Sequence, residues 1–226
     1  MTGTTPSFSP ASRERLTRHD LGRFAGSTMF DRIGRVLCAA ECLPRRELYE
    51  AWEVARRARR RFRGGRVLDL AAGHGLLAHL MLLLDDSSPN ALAVDRQLAP
   101  SASTVHEALQ AAWPRLHDRV ALVQADMNSL EIERDDVVVS SHACGALTDA
   151  VLARAAAAGA RVAVMPCCHR LDTADAKAFA GWADGALAID IARVQRLRDL
   201  GYQVWTQTIA AGITAKARLI LAAPHD

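Results

Sequence analysis

The sequence predicts an α/β protein, a doubly wound sheet of seven strands with a C-terminal antiparallel hairpin, preceded by an N-terminal helical extension. Three observations carry this expectation. From Gly65 onward, short apolar runs alternate with helical stretches, the texture of a parallel sheet covered on both faces. The last two apolar runs are joined by a short glycine-containing loop, which only an antiparallel pair can use, because a parallel crossover needs about a dozen residues. Finally, 226 residues, half of them apolar, are enough for one sizeable core.

Taken in order, residues 1–26 show no sustained period and are expected to be flexible, apart from a short helix over Arg13–Arg18. Residues 27–65 read as the helical extension. Ser27 is placed to cap a helix carrying Phe30, Ile33, Leu37 and Ala40 on one face, and Pro44 suits the first turn of a second helix that groups Leu48, Trp52 and Ala55. That helix continues into Arg56–Arg66 and stops at Gly64-Gly65. Strands follow at Arg66–Leu70, Ala91–Asp95, Val120–Gln124, Asp136–Ser141 and Arg161–Pro166. Helices are expected at Leu76–Leu84, Val105–Trp113, Asp149–Ala158, Asp175–Trp182 and Ala186–Leu200. Tyr202–Ile209 and Ala217–Ala222 form the closing hairpin, so residues 66–226 make the sheet domain.

Composition excludes several classes. No stretch approaches the roughly 18 apolar residues of a membrane span, and Met1–Asp20 lacks the apolar centre of a secretory signal, so a cytoplasmic protein is expected. Five cysteines, an odd number, argue against a disulfide framework. The net charge of +3 hides an asymmetry. Residues 1–66 hold fifteen arginines against seven acids, a net +8, whereas the remainder holds thirteen bases against eighteen acids, a net −5. Seven arginines fall within Arg56–Arg66 with no acid among them. Such a run suits contact with phosphates, and RNA is the expected partner, against the alternative of a solvated helix face. Oligomeric state is not legible.

Val67-Leu68-Asp69-Leu70-Ala71-Ala72-Gly73-His74-Gly75 is a strand ending in a glycine turn that opens a helix. Ligands bind beyond the carboxyl ends of such strands, and glycine lets the backbone approach them. Two readings compete. Gly73-His74-Gly75-Leu76-Leu77-Ala78 fits a dinucleotide pattern with Asp95 about 20 residues on. However, Asp69 at the strand end would sit poorly beside a pyrophosphate, whereas it suits the amino-acid end of cationic S-adenosyl-L-methionine. Asp95 then faces ribose hydroxyls, Asp126 the adenine amino group, and the Met127 backbone the ring edge. Ala71, Gly73, Gly75 and Arg96 complete the expected cofactor set. A turn or cap role is the plainer fate of any one of these aspartates.

Asp69–Gly75 resembles the first motif of class I S-adenosylmethionine-dependent methyltransferases, with Ala71 where the first glycine usually stands. Ser141-His142-Ala143-Cys144-Gly145-Ala146-Leu147-Thr148-Asp149 and Pro166-Cys167-Cys168-His169 are more specific. With Gly201-Tyr202 and Ile213-Thr214-Ala215-Lys216, they resemble the methyltransferase family that includes the eukaryotic tRNA 2′-O-methyltransferase, over roughly residues 44–224. The resemblance implies a Rossmann-like fold, S-adenosyl-L-methionine as cofactor, and methyl transfer to RNA. The zinc module of eukaryotic relatives is absent from this sequence, which leaves a small-molecule acceptor as the alternative. A non-catalytic binding module on the same fold is a further alternative, disfavoured because all three cofactor acids are present.

His142, Cys144, Cys167, Cys168 and His169 follow two strands expected to be neighbours, so they are the candidate catalytic residues. Three chemistries fit. A histidine can act as general base or position the acceptor. Cys144 or Cys167 can attack a base covalently, as cysteines after these strands do in pyrimidine C5 methyltransferases. The cluster can also bind zinc, although adjacent Cys167 and Cys168 depart from knuckle spacing, and no metal is assigned on that ground. Against all three stands simple packing of small thiols.

Overall fold

The computed structural model describes residues 8–215 and 218–225. Residues 1–7, Lys216, Ala217 and Asp226 lie outside the described residues, and with them part of the expected flexible N-terminus, the end of the Ile213–Lys216 motif and the expected first residue of the last strand. Seven strands form one sheet: β1 (Val67–Leu70), β2 (Ala91–Asp95), β3 (Val120–Gln124), β4 (Val137–Ser140), β5 (Arg161–Val164), β6 (Tyr202–Thr208) and β7 (Arg218–Pro224). Their spatial order is β3-β2-β1-β4-β5-β7-β6. All pairs are parallel except those of β7, which runs antiparallel to both β5 and β6. The expected hairpin is therefore present, and β7 inserts between β5 and β6. The direction of winding reverses between β1 and β4, where parallel sheets open a crevice for ligands.

Helices cover both faces. They are α1 (Met29–Ala40), α2 (Arg45–Arg61), α3 (Leu76–Leu84), α4 (Ala102–Ala112), α5 (Ala146–Ala157), α6 (Ala174–Lys177) and α7 (Gly185–Asp199). Strand alternation divides the core. Val67, Ala93, Val137, Val139 and Leu221 pack toward α1–α4, whereas Leu68, Leu70, Val138, Val162 and Ile220 pack toward α5 and α7. α3 is almost wholly buried, Leu76 through Leu83, because it lies between the sheet and α2.

The N-terminal region departs from expectation. The helical extension shares one core with the sheet, through Ile33, Leu37, Leu48, Val54 and Ala58. Nor is all of the stretch before it loose. Leu16 and Phe24 are buried, a 3-10 helix spans Arg18–Phe24, and Arg15 bridges Pro44. The observed helix thus starts where the one expected at Arg13–Arg18 was to end. Two isolated anchors, eight positions apart, leave no period for a sequence to display. Elsewhere the differences are small. α5 begins three residues early, and the helix expected over Asp175–Trp182 is a single turn.

α2 runs against the strands. Its first turn lies beside the loop after β4, and its last turn leads through Gly64 and Gly65 into the start of β1. A helix of 17 residues is about 25 Å long, so its two ends belong to opposite poles of the sheet.

Candidate functional site

The loops at the carboxyl ends of β1, β2 and β3 form a small pocket of about 120 Å³, lined by Ala71, Asp95, Arg96, Asp126, Met127 and Leu147 among others. Five of the expected cofactor residues therefore meet in one cavity. Asp95 ties the loops together. One of its oxygens accepts from the Gly73 amide at 2.9 Å and the other from Gln97 at 3.0 Å. Asp126 caps the short turn after β3 by accepting from the Asn128 amide at 2.8 Å, and Arg96 lies 3.7 Å from its other oxygen. The cap role and the pocket role coexist in this side chain, since a carboxylate has lone pairs for both.

The glycine turn has steric causes. Gly75 has φ +69°, and a Cβ there would come within 2.8 Å of Leu122 and 3.2 Å of Ala93. Gly73 has φ +55° and faces His142. Ala71 also lies in the left-handed region, at φ +56°. A glycine is common at such a position because of backbone conformation, not only close packing, and alanine here carries strain. Beneath the turn, the buried His79 donates from Nδ1 to the Gly75 carbonyl at 2.7 Å. Burial pushes its pKa down to about 4, so the imidazole is neutral.

Asp69 lies next to the turn and is fully buried. Oδ2 accepts from the Ala78 amide in the first turn of α3 at 3.2 Å, while Oδ1 has no hydrogen-bond partner among the described residues. Burial pushes this carboxyl up to about 7, against the pull of His142 and the Ala78 amide. A buried carboxylate oxygen without a donor costs free energy that an ammonium ligand would recover. This orphaned oxygen beside a glycine cradle fits the amino-acid tail of S-adenosyl-L-methionine.

Across the switch point, His142 follows β4. Its Nε2 lies 2.5 Å from a Glu47 oxygen in the first turn of α2. Burial disfavours the imidazolium, but Glu47, with Asp69 and Glu50 behind it, outweighs burial and raises the His142 pKa. Burial likewise pushes Glu47 up, and contact with His142 reverses that and holds it below the ordinary carboxylate range. Glu47 was not among the sequence candidates. The two residues are 95 positions apart, and no local pattern joins them. Glu50, one helical turn on, is the only other acid of α2 near the pair and is fully buried.

Cys144, Cys167 and Cys168 converge, with all three sulfurs within 4.8 Å of one another. Cys144 and Cys168 are exposed and Cys167 is buried. His169 turns away from them. Its Nε2 meets Asp190 of α7 at 2.9 Å, and Asp190 also accepts from Arg193 at 3.1 Å and Arg218 at 2.6 Å. It anchors the loop after β5 onto α7. A larger groove, about 570 Å³, lies between α7 and the β6–β7 hairpin and holds none of the expected site residues.

A family model described as Methyltransferase domain matches residues 46–173, which take in the glycine turn, all three aspartates, and both Cys/His loops. The chain belongs to this methyltransferase family. A search of curated proteins finds no match. Among solved structures, an O-methyltransferase family protein from Burkholderia thailandensis is 19% identical, with a TM-score of 0.53 over 95% of this chain and 65% of that one. The mitomycin 7-O-methyltransferase MmcR is 18% identical, with a TM-score of 0.52 over 92% of this chain and 61% of its own. The M1A22 tRNA methyltransferase TrmK from B. subtilis is 16% identical, with a TM-score of 0.50 over 77% of this chain and 66% of its own. At such identities the likeness establishes the fold. The methyltransferase spans less than two thirds of the length of the first two of these structures. The methyltransferase domain and its pocket fit S-adenosyl-L-methionine as the donor. Among its described residues no helix is long and apolar enough to cross a membrane.

The arginine run has a different setting from the one its composition suggests. Arg56 and Arg57 bond to Glu53, Arg57 also to Gln207, and Arg61 stacks on Trp205. Arg59 is buried on Asp85, Ser88 and the Met81 carbonyl, Arg63 reaches Asp85, and Arg66 pairs with Asp136. Only Arg60 lacks such a contact among the described residues. Arg59, Arg63 and Arg66 also sit at the end of α2 remote from the glycine turn.

Proposed function

We propose that this methyltransferase transfers a methyl group to RNA, and that the RNA approaches over the pole that holds the glycine turn. The likeness of the His142–Asp149 and Pro166–His169 motifs to the tRNA 2′-O-methyltransferase family supports the acceptor. The orphaned Oδ1 of Asp69 is the observation that carries the donor. At that pole the segment bearing exposed Arg13 and Arg15 lies along the first turn of α2, through the bonds of Arg45 to Glu14 and Arg46 to Ser12. Arg96, whose side chain is 80% exposed, rims the pocket on the far side. These arginines, not Arg56–Arg66, are the docking contacts in this reading. S-adenosyl-L-methionine supplies an electrophilic methyl group when bound. The chain's own part is to grip the donor at Asp69, Asp95 and Asp126, and to present the acceptor beside His142 and the Cys144 loop.

Two tests follow. Asp95→Ala should abolish donor binding in calorimetry, whereas His142→Ala should spare binding and lower turnover. RNA affinity should fall with salt, by a log–log slope of roughly 0.7 per phosphate contact on single strands. Arg15→Ala with Arg96→Ala should flatten that slope, and Arg60→Ala with Arg61→Ala should leave it intact. The reverse pattern would restore the arginine run as the dock. A second reading, a small-molecule acceptor, is favoured by the internal pairing of Arg56–Arg66. Mass spectrometry of RNA nucleosides from cells with and without the gene separates the two, because a missing methyl mark belongs only to the first.

A further inference from the structure

The three cysteines of the β4 and β5 loops stand in a relation that their spacing in sequence conceals. β4 and β5 pair in parallel, with Ser140 beside Val164 and the Met165 amide bonded to the Ser140 carbonyl. The two loops therefore leave the sheet side by side. Cys144 falls four residues after β4 and Cys167 three residues after β5, at matching heights. Adjacent residues of a strand point to opposite faces. Because β5 ends at Val164, Cys167 and Cys168 are released from that alternation, and both sulfurs reach the same point. Gly145 closes the arrangement. A Cβ there would lie 3.6 Å from the Cys168 carbonyl, so the loops pack face to face.

We propose that Cys144, Cys167 and Cys168 bind one zinc ion, with the fourth position open toward the acceptor. Zinc takes thiolate ligands at about 2.3 Å in tetrahedral geometry, which sets ligand sulfurs roughly 3.8 Å apart. The Cys144–Cys167 sulfurs are 2.7 Å apart, and no pair of the three exceeds 4.8 Å. Changes of about 1 Å bring all of them to that spacing, and Cys144 and Cys168 lie at the surface. Three soft thiolates select zinc over the hard, oxygen-seeking divalent ions. Three protein ligands with one place left is also the pattern of zinc sites that meet a substrate, in contrast to closed four-ligand structural sites. The binding of metal depends on the cysteines alone. Only the orientation of the open place toward an acceptor rests on the donor pocket assigned above.

The full chain, reduced with a phosphine and stripped by a chelator, should take up one equivalent of zinc or cobalt. Cobalt should give a sulfur-to-metal charge-transfer band in the near ultraviolet. Cys168→Ser and Cys144→Ser, both at exposed positions, should each weaken zinc at least tenfold and diminish that band. Cys38→Ala with Cys42→Ala should leave both unchanged. Binding of S-adenosyl-L-homocysteine, measured by calorimetry on the same samples, reports folding and the donor pocket separately from the metal. Wild-type chain that binds this product but takes up no stoichiometric metal would overturn the zinc site while leaving the donor reading in place. Loss of metal in the Cys38/Cys42 variant, or its retention in both loop variants, would do the same.

Discussion

At the scale of single residues, Asp69 and Ala71 make opposite contributions within three positions of each other. Asp69 must be ionised to hold an ammonium group, yet burial raises its pKa to about 7 in the free protein. Donor binding should therefore weaken as pH falls below about 7, approaching tenfold per pH unit, since a proton must leave before the ligand is held. Calorimetry between pH 5.5 and 8.5 measures this, and Asp69→Asn should bind weakly with no such slope. A pH-independent affinity in the wild type would contradict the assignment. Ala71, at φ +56°, bears a left-handed backbone that costs an L-residue roughly 1–2 kcal/mol. Ala71→Gly should raise stability by about 1 kcal/mol in urea unfolding, and a loss would show that the methyl group packs better than the strain suggests. The three aspartates were legible because each lies at or just past the carboxyl end of a strand. Glu47 was not, because its partner is set by tertiary contact and helical residues of this kind face solvent far more often.

At the scale of elements, α2 joins the two poles and differs along its length. Its first turn brings Glu47 to His142, and its last turns fix the arginine run to the body through Gln207 and Asp85. Arg59 is the clearest case. It is buried, its pKa is pushed by burial down to about 10, and it meets Asp85 at 3.2 Å. Removing one partner of a buried pair costs about 3–5 kcal/mol, because the other charge is left unmatched. Arg59→Ala should thus lower unfolding free energy by about 3 kcal/mol, whereas Arg60→Ala at its exposed neighbour should stay within about 0.5 kcal/mol. Equal effects would show that the two arginines share one setting. Composition shows seven arginines and nothing of this difference, because burial depends on where α3 and the loop at Asp85–Ser88 lie. The strands were legible for the opposite reason. β1, β2, β4, β5 and β7 are short runs dominated by Val, Ala and Leu and buried along most of their length, and the bounds of all seven strands in the structure differ by no more than two residues at either end. The segment at Leu16–Phe24 carries its apolar burial in two side chains and was not.

For the molecule as a whole, the reversal of strand order between β1 and β4 decides where chemistry happens. It brings the donor turn, the His142 loop and the three cysteines to one pole, and it leaves Arg59, Arg63 and Arg66 at the other. That division was only half visible beforehand. Parallel strands and a closing hairpin could be read from alternation, but the direction in which α2 runs could not, and with it the polarity of the charged face. The hairpin has one more implication, for how the chain matures on the ribosome. β6 emerges before β7, yet among the described residues it joins the sheet only through β7. Until β7 is made, the flank of β5 stays bare and β6 has no seat. A chain truncated before Arg218 would leave the β5 edge open to neighbouring chains and β6 unseated, so the sheet would lose two strands rather than one.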